Sequence, residues 1–231
     1  MAPIATLFDF DGVLVDSEPV HLAAFNDVLA ARGVIIDERD YAANLLSLDD
    51  AGVFRAVLAR GAGVARDGAV VPDEEEVKAL VEAKNPRFLA RFREAFRAFA
   101  GAEALVARRA ARGPVGIVSG ALDREIRFAL ARMGIASHVA FVIAAEHSPA
   151  SKPDPAPYRL AVEALPARSY EGRAVVLEDS LGGVTSAKRA GLRCVAVAHS
   201  YTHSELVHAG ADAVAPDLAS IDDALLDGDP P

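Results

Sequence analysis

Six short apolar runs, most of them separated by stretches of helical period, constrain this chain more than any other feature. They fall at residues 4–8, 115–118, 140–144, 174–177, 194–198 and 211–214. Each is of strand length, and a short continuous apolar run bounded by turn residues reads as a strand buried on both faces, as in a parallel sheet. Helical periodicity occupies 122–133, 155–164 and 183–190, with Gly134, Gly172 and Gly191 punctuating helix ends or turns. Strand–helix alternation implies βαβ units, so the expected class is α/β, a parallel sheet with helices on both faces.

One segment breaks the alternation. Between about residues 17 and 91 no strand pattern occurs, and helical patterns run over 21–31, 49–60, 73–83 and 87–99, with Pro86 expected to break or kink the chain near Asn85. Ser47-Leu48-Asp49-Asp50 resembles a capping box, and residues 61–72 read as a loop. Two domains follow: an α/β core from 1–16 and 92–231, and an α-helical insertion from 17–91. An insertion directly after the first strand is expected to act as a lid that excludes water.

The ends of the apolar runs carry the chemistry. The first run ends in Asp9-Phe10-Asp11-Gly12; the second is followed by Ser119-Gly120, the third shortly by Ser151-Lys152-Pro153, and the fourth by Glu178-Asp179-Ser180. Ligands of open α/β sheets bind beyond the carboxyl ends of the strands. Clustered carboxylates repel unless a cation or a shared proton relieves them, and hard oxygen donors suit Mg²⁺. A hydroxyl and an ammonium suit the oxygens of a phosphoryl group. Taken singly, each segment has a plainer reading: Ser119-Gly120 as a turn, Lys152-Pro153 as an exposed loop, Glu178-Asp179-Ser180 as a helix N-cap. Their combination, in this order, points to a site.

Composition narrows the partners. The formal net charge is −9 and no dense Lys/Arg cluster occurs, so no nucleic-acid footprint is expected. No apolar run nears the ~20 residues that span a bilayer, so no membrane partner is expected. The single cysteine permits no internal disulfide, and the first residues carry no basic stretch followed by a long apolar one; a cytoplasmic protein without a secretory leader is expected. No helix face is left unexplained, and a monomer is expected.

In these motifs the chain resembles the haloacid dehalogenase superfamily, in particular its members with a small α-helical cap, the phosphoglycolate phosphatases, sugar-phosphate phosphatases and β-phosphoglucomutases. The resemblance rests on Leu7-Phe8-Asp9-Phe10-Asp11-Gly12 with Asp16, then Ser119, Lys152 and Glu178-Asp179. It implies a Rossmann-like core with an inserted cap. It also implies Asp9 as nucleophile, Asp11 as general acid–base, and Ser119 and Lys152 as phosphoryl ligands. Mg²⁺ would be held by Asp9, the Asp11 carbonyl, Asp179 and Glu178, the last directly or through water. His21, Lys84 and Gly120 become candidate substrate contacts. From the residues alone, His21 reads as a helix-surface or core histidine and Lys84 as part of a solvated helix face.

The implied activity is a Mg²⁺-dependent phosphatase acting on a small phosphorylated metabolite through an aspartyl-phosphate. The alternative is a β-phosphoglucomutase-like phosphotransferase. In mutases the loop matching residues 44–52 carries a glycine and a phosphate-binding arginine; here it reads Leu45-Leu46-Ser47-Leu48-Asp49-Asp50-Ala51-Gly52. Two acids make a poor anion clamp, which favours the phosphatase.

Overall fold

The computed structural model describes residues 4–46, 48–60, 73–165 and 173–228. Six strands, β1 (Ala5–Phe8), β2 (Val115–Val118), β3 (Phe141–Ile143), β4 (Ala174–Glu178), β5 (Arg193–Val197) and β6 (Ala213–Ala215), form one sheet in the order β3-β2-β1-β4-β5-β6. Every pairing is parallel. All six apolar runs thus become strands, with ends shifted by a residue or two. β1 and β2 are buried along their whole length, whereas the edge strands β3 and β6 are only partly covered.

The helices are α1 (Glu18–Leu29), α2 (Glu38–Asp40), α3 (Asp50–Ala59), α4 (Glu74–Glu94), α5 (Ala102–Ala110), α6 (Asp123–Arg132), α7 (Ala156–Ala164), α8 (Leu181–Arg189), α9 (His203–His208) and α10 (Asp223–Asp227). The chain divides into two compact units, one of Met1–Asp16 with Arg97–Pro231, the other Ser17–Phe96. The second unit closes five residues beyond the boundary expected after Arg91, because α4 continues to Glu94.

In the first unit successive side chains of β1 alternate between sheet faces. Ala5 and Leu7 enter a core with Tyr158, Ala161, Val184, Ala187 and Leu206, which come from α7, α8 and α9. Thr6 points the other way, where its hydroxyl accepts from Arg109 Nε of α5 at 2.9 Å. Helices therefore cover both faces, as the alternation requires. Gly116 is where β3 packs most tightly: a Cβ there would lie 2.4 Å from the Phe141 ring. Gly134 and Gly191 take positive φ (+71° and +78°) just past α6 and α8, the left-handed ending that glycine favours. Gly172 lies outside the described residues.

The second unit is helical, with a core of Phe25, Leu29, Leu45, Phe54 and Leu80. Its helix ends are marked by acids: Asp49 accepts from Gly52 N at 2.7 Å and Asp73 from Glu75 N at 3.0 Å. Ser47, the other half of the expected capping box, and the expected loop at 61–72 lie outside the described residues. The helix does not break at Pro86; α4 continues through it to Glu94. Val77, Leu80, Lys84, Phe88 and Phe92 form one continuous buried stripe, while Glu82 and Pro86 are exposed. The carbonyl that the proline leaves without its N–H therefore faces solvent, and packing of the stripe holds the helix together across it. No helix among the described residues is long and apolar enough to cross a membrane.

Candidate active site

The strand order reverses at β1, which pairs with β2 on one side and β4 on the other. That reversal opens a crevice at the carboxyl ends of the strands. Register sets what lines it. Phe8 pairs with Ile117 and with Leu177, so Asp9, Ser119 and the Glu178–Asp179 pair emerge at one level. The Asp9 N–H donates to the Leu177 carbonyl at 2.9 Å and the Ser119 N–H to the Ile143 carbonyl at 2.9 Å, so both residues are fixed through their backbones.

Lys152 joins the segments. Its Nζ lies 2.6 Å from Asp9 Oδ1, 2.6 Å from Glu178 Oε1 and 2.9 Å from the Val118 carbonyl. Burial works against its charge, but Asp9 and Glu178 outweigh burial and raise its pKa. The Asp9 carboxyl is pushed up to about 8, by burial first and by Glu178 next, with Lys152 opposing. Ser119 Oγ donates to Asp11 Oδ2 at 3.4 Å and accepts from the Ala121 N–H at 2.9 Å. The first unit thus brings Asp9, Asp11, Ser119, Lys152, Glu178 and Asp179 into one place.

Asp9, Glu178 and Asp179 each offer a carboxylate oxygen within 4.8 Å of the others, and all three are buried. Hard oxygen donors packed this closely fit a divalent cation such as Mg²⁺. Asp11 is not part of that carboxylate group; its side chain meets Ser119, in keeping with a ligand role through its carbonyl alone.

Glu178 is held more firmly than its sequence position suggests. It is fully buried, its Oε1 accepts from Lys152 and from Tyr158 Oη at 2.7 Å, and its Oε2 accepts from Ser180 Oγ at 3.1 Å and the Asp179 N–H at 3.2 Å. Both oxygens are thus engaged by protein donors, so Glu178 also orients Lys152. Ser180 also caps α8, accepting from the Gly183 N–H at 3.0 Å, so the segment forms the expected helix cap while it delivers Glu178 and Asp179 to the crevice. Tyr158, in mid-helix, carried no sequence signal. Its hydroxyl is kept neutral, its pKa pushed well up by burial and by Glu178.

Gly12 takes φ +76°, and a Cβ there would lie 1.9 Å from Asp179 Oδ2. A Cβ on Gly120, by contrast, would meet nothing within 4 Å. Asp16 pairs with Arg97 at 3.3 Å and does not cap α1.

His21 and Lys84 belong to the second unit. The structure brings them to each other: Lys84 Nζ lies 2.8 Å from His21 Nδ1 and 2.5 Å from Asp50 Oδ1, above the Phe25 ring at 4.2 Å. Lys84 is 1% exposed, so it is no solvated face residue. Burial and Lys84 hold the His21 pKa well below its ordinary 6.5. Asp50, the partner that makes a buried lysine tolerable here, was not among the sequence candidates.

A Rossmann-type sheet with an Asp-x-Asp strand end, a lysine and a paired acid at its switch point is the core arrangement that the resemblance to the haloacid dehalogenase superfamily implies. The model of the haloacid dehalogenase-like hydrolases matches residues 5–191, and the chain belongs to that family. It is 33% identical to the phosphoglycolate phosphatase of Rhodospirillum rubrum, over 96% of this chain and 91% of that one. It is 34% identical to protein CbbY of Cereibacter sphaeroides, over 94% and 93% of the two chains. The crystal structure of CbbY from Rhodobacter sphaeroides in complex with phosphate superposes with a TM-score of 0.77, at 29% identity over 97% of this chain and 99% of that one.

Proposed function

We propose that this protein is a Mg²⁺-dependent phosphatase that hydrolyses a small organic phosphate monoester through an aspartyl-phosphate. The observation that carries the reading is Lys152 bonded to Asp9 beside the Asp9–Glu178–Asp179 carboxylate group. Relatives named as phosphatases, and a related structure holding phosphate, support the substrate class.

Asp9 attacks phosphorus as the ester P–O bond breaks, and Asp11 gives its proton to the departing oxygen. Asp11, now a carboxylate, takes a proton from water; the water oxygen attacks the aspartyl-phosphate, releasing inorganic phosphate and restoring Asp9. Lys152 and Ser119 hold the phosphoryl oxygens throughout. Asp9, Asp179 and the Asp11 carbonyl would hold the cation, with Glu178 directly or through water. When bound, the metal supplies positive charge that lets an anionic nucleophile approach an anionic phosphate.

To the helical unit we assign substrate selection. Three of its cations among the described residues are engaged internally: Lys84 by Asp50, Arg55 by Glu74 and Arg60 by Asp40. Cations so neutralised make a weak second phosphate clamp, which supports hydrolysis over the mutase alternative. The test is a panel of phosphorylated metabolites, including phosphoglycolate and sugar phosphates, read by release of inorganic phosphate with Mg²⁺ and with a chelator. Phosphate release that needs the metal supports the reading. Primed conversion of glucose 1-phosphate to glucose 6-phosphate, without phosphate release, overturns it in favour of the mutase.

A further inference from the structure

The loop that follows β5 reaches the site from a fifth segment, and its two contacting residues, His199 and Ser200, lie outside the motifs described above. β5 pairs with β4 so that Ala196 sits beside Glu178, which carries the chain after β5 alongside Asp179. Ser200 Oγ donates to Asp179 Oδ2. The same oxygen abuts the Gly12 backbone, where even a β-carbon has no room. Asp179 Oδ2 is thus wedged between a hydroxyl and a glycine, and the residue is 3% exposed.

His199, one residue earlier, holds the other side of this contact. Its Nδ1 lies 2.8 Å from the Gly12 carbonyl. A carbonyl only accepts, so Nδ1 carries the hydrogen, which fixes the tautomer. The ring stacks on Phe99 with centroids 3.9 Å apart. The Gly12 N–H donates to the Val15 carbonyl at 2.9 Å, so the turn after Asp11 is gripped through both its N–H and its C=O.

We propose that Ser200 and His199 are positioning residues for the divalent cation: Ser200 sets the Asp179 carboxylate, and His199 sets the Asp11–Gly12 turn. The inference rests on the metal-dependent reading above. A carboxylate already held in one orientation loses little freedom on taking a metal, and partners of this kind commonly contribute about 10–100-fold to metal affinity. A residue that only anchored the loop would change stability without changing metal affinity.

The experiment measures Mn²⁺ binding to the full chain by the loss of the free-ion electron paramagnetic resonance signal, without substrate, alongside thermal unfolding in chelator. Ser200→Ala is expected to bind Mn²⁺ about tenfold or more weakly, and Ser200→Thr, which keeps the hydroxyl, to stay close to the parent. His199→Phe keeps the stack on Phe99 but deletes the donor, and is expected to weaken binding in the same direction. It also keeps the proposal testable if Ser200→Ala does not fold. Parent-like Mn²⁺ affinity in a folded Ser200→Ala or His199→Phe overturns the assignment of that residue. A parent protein that binds no Mn²⁺ overturns the metal-dependent reading itself and the inference with it, and the two failures are told apart by the parent alone.

Discussion

Gly12 and Asp179 are packed so closely that a β-carbon on the glycine would stand 1.9 Å from Asp179 Oδ2. The first strand's turn and the fourth strand's carboxylate therefore fix each other. Gly12→Ala incurs two costs: about 1–2 kcal/mol for a side chain at positive φ, and displacement of Asp179. A cation at 100 times its Kd stabilises a fold by about 2.7 kcal/mol. Thermal unfolding with and without Mg²⁺ is expected to show that stabilisation in the parent and little of it in Gly12→Ala. Equal stabilisation of both would refute the coupling.

Lys152 is the one cation bonded to both Asp9 and Glu178 among the described residues. Lys152→Met leaves two buried carboxylates facing each other, and breaking a buried pair in this way costs about 3–5 kcal/mol. Loss of a donor to developing phosphoryl charge lowers kcat by about 10²–10³-fold. Denaturant unfolding in chelator, with steady-state kinetics on p-nitrophenyl phosphate, measures both effects; an unchanged kcat would remove Lys152 from the chemistry.

In the helical unit the cost of mutation should be lopsided. Lys84 is 1% exposed while the Asp50 side chain is 30% exposed. Lys84→Met leaves a carboxylate that water can reach and places an apolar chain against Phe25 and Phe88. Asp50→Ala leaves a buried ammonium without its carboxylate, a loss of about 3–5 kcal/mol. Chemical denaturation is expected to rank Asp50→Ala as the less stable variant, although Asp50 is the more exposed residue. The reverse order contradicts the account.

Acid should loosen the C-terminal helix of the α/β unit. Arg109, fully buried, bonds Asp227 at 2.7 Å and Asp223 at 2.9 Å, and Arg112 reaches Asp227 at 2.5 Å. Burial raises the Asp227 pKa, but Arg109 and Arg112 outweigh it and hold the group below its ordinary 3.8. A depressed carboxyl stabilises the fold above its unfolded pKa, and that contribution is lost as pH falls through the lower folded value. Unfolding followed below about pH 4 is expected to show less acid sensitivity in Asp227→Asn than in the parent, and less stability in that variant near pH 7. Parallel pH profiles for the two would contradict it.

The sheet was legible because a parallel strand buried on both faces has little choice of residue, and the first, second and fourth apolar runs are each closed by the polar group they deliver. Asp9, Ser119 and Glu178-Asp179 stood out as candidates for the same reason, and Lys152, eight residues past its run, only through the order of the motifs. The contacts that complete the site were not. Tyr158 is a core aromatic on helical spacing until Glu178 meets its hydroxyl, and Ser200 lies 21 residues from the Asp179 it holds. Asp50 and Lys84 lie 34 residues apart, so neither sequence neighbourhood shows the pair. Pro86 misled because local propensity names the residue but not the face it occupies; on the exposed side of α4 the proline costs the helix little of its packing.

The central claim is that Asp9 carries the phosphoryl group during turnover. Acid-quenched turnover, borohydride trapping of acyl phosphates and mass spectrometry of the peptide spanning Asp9 test it directly. The account predicts a reduced, trapped residue at Asp9 in the parent, and no trapping and no turnover in Asp9→Asn. Turnover that persists in folded Asp9→Asn, or trapping at another residue, would contradict it.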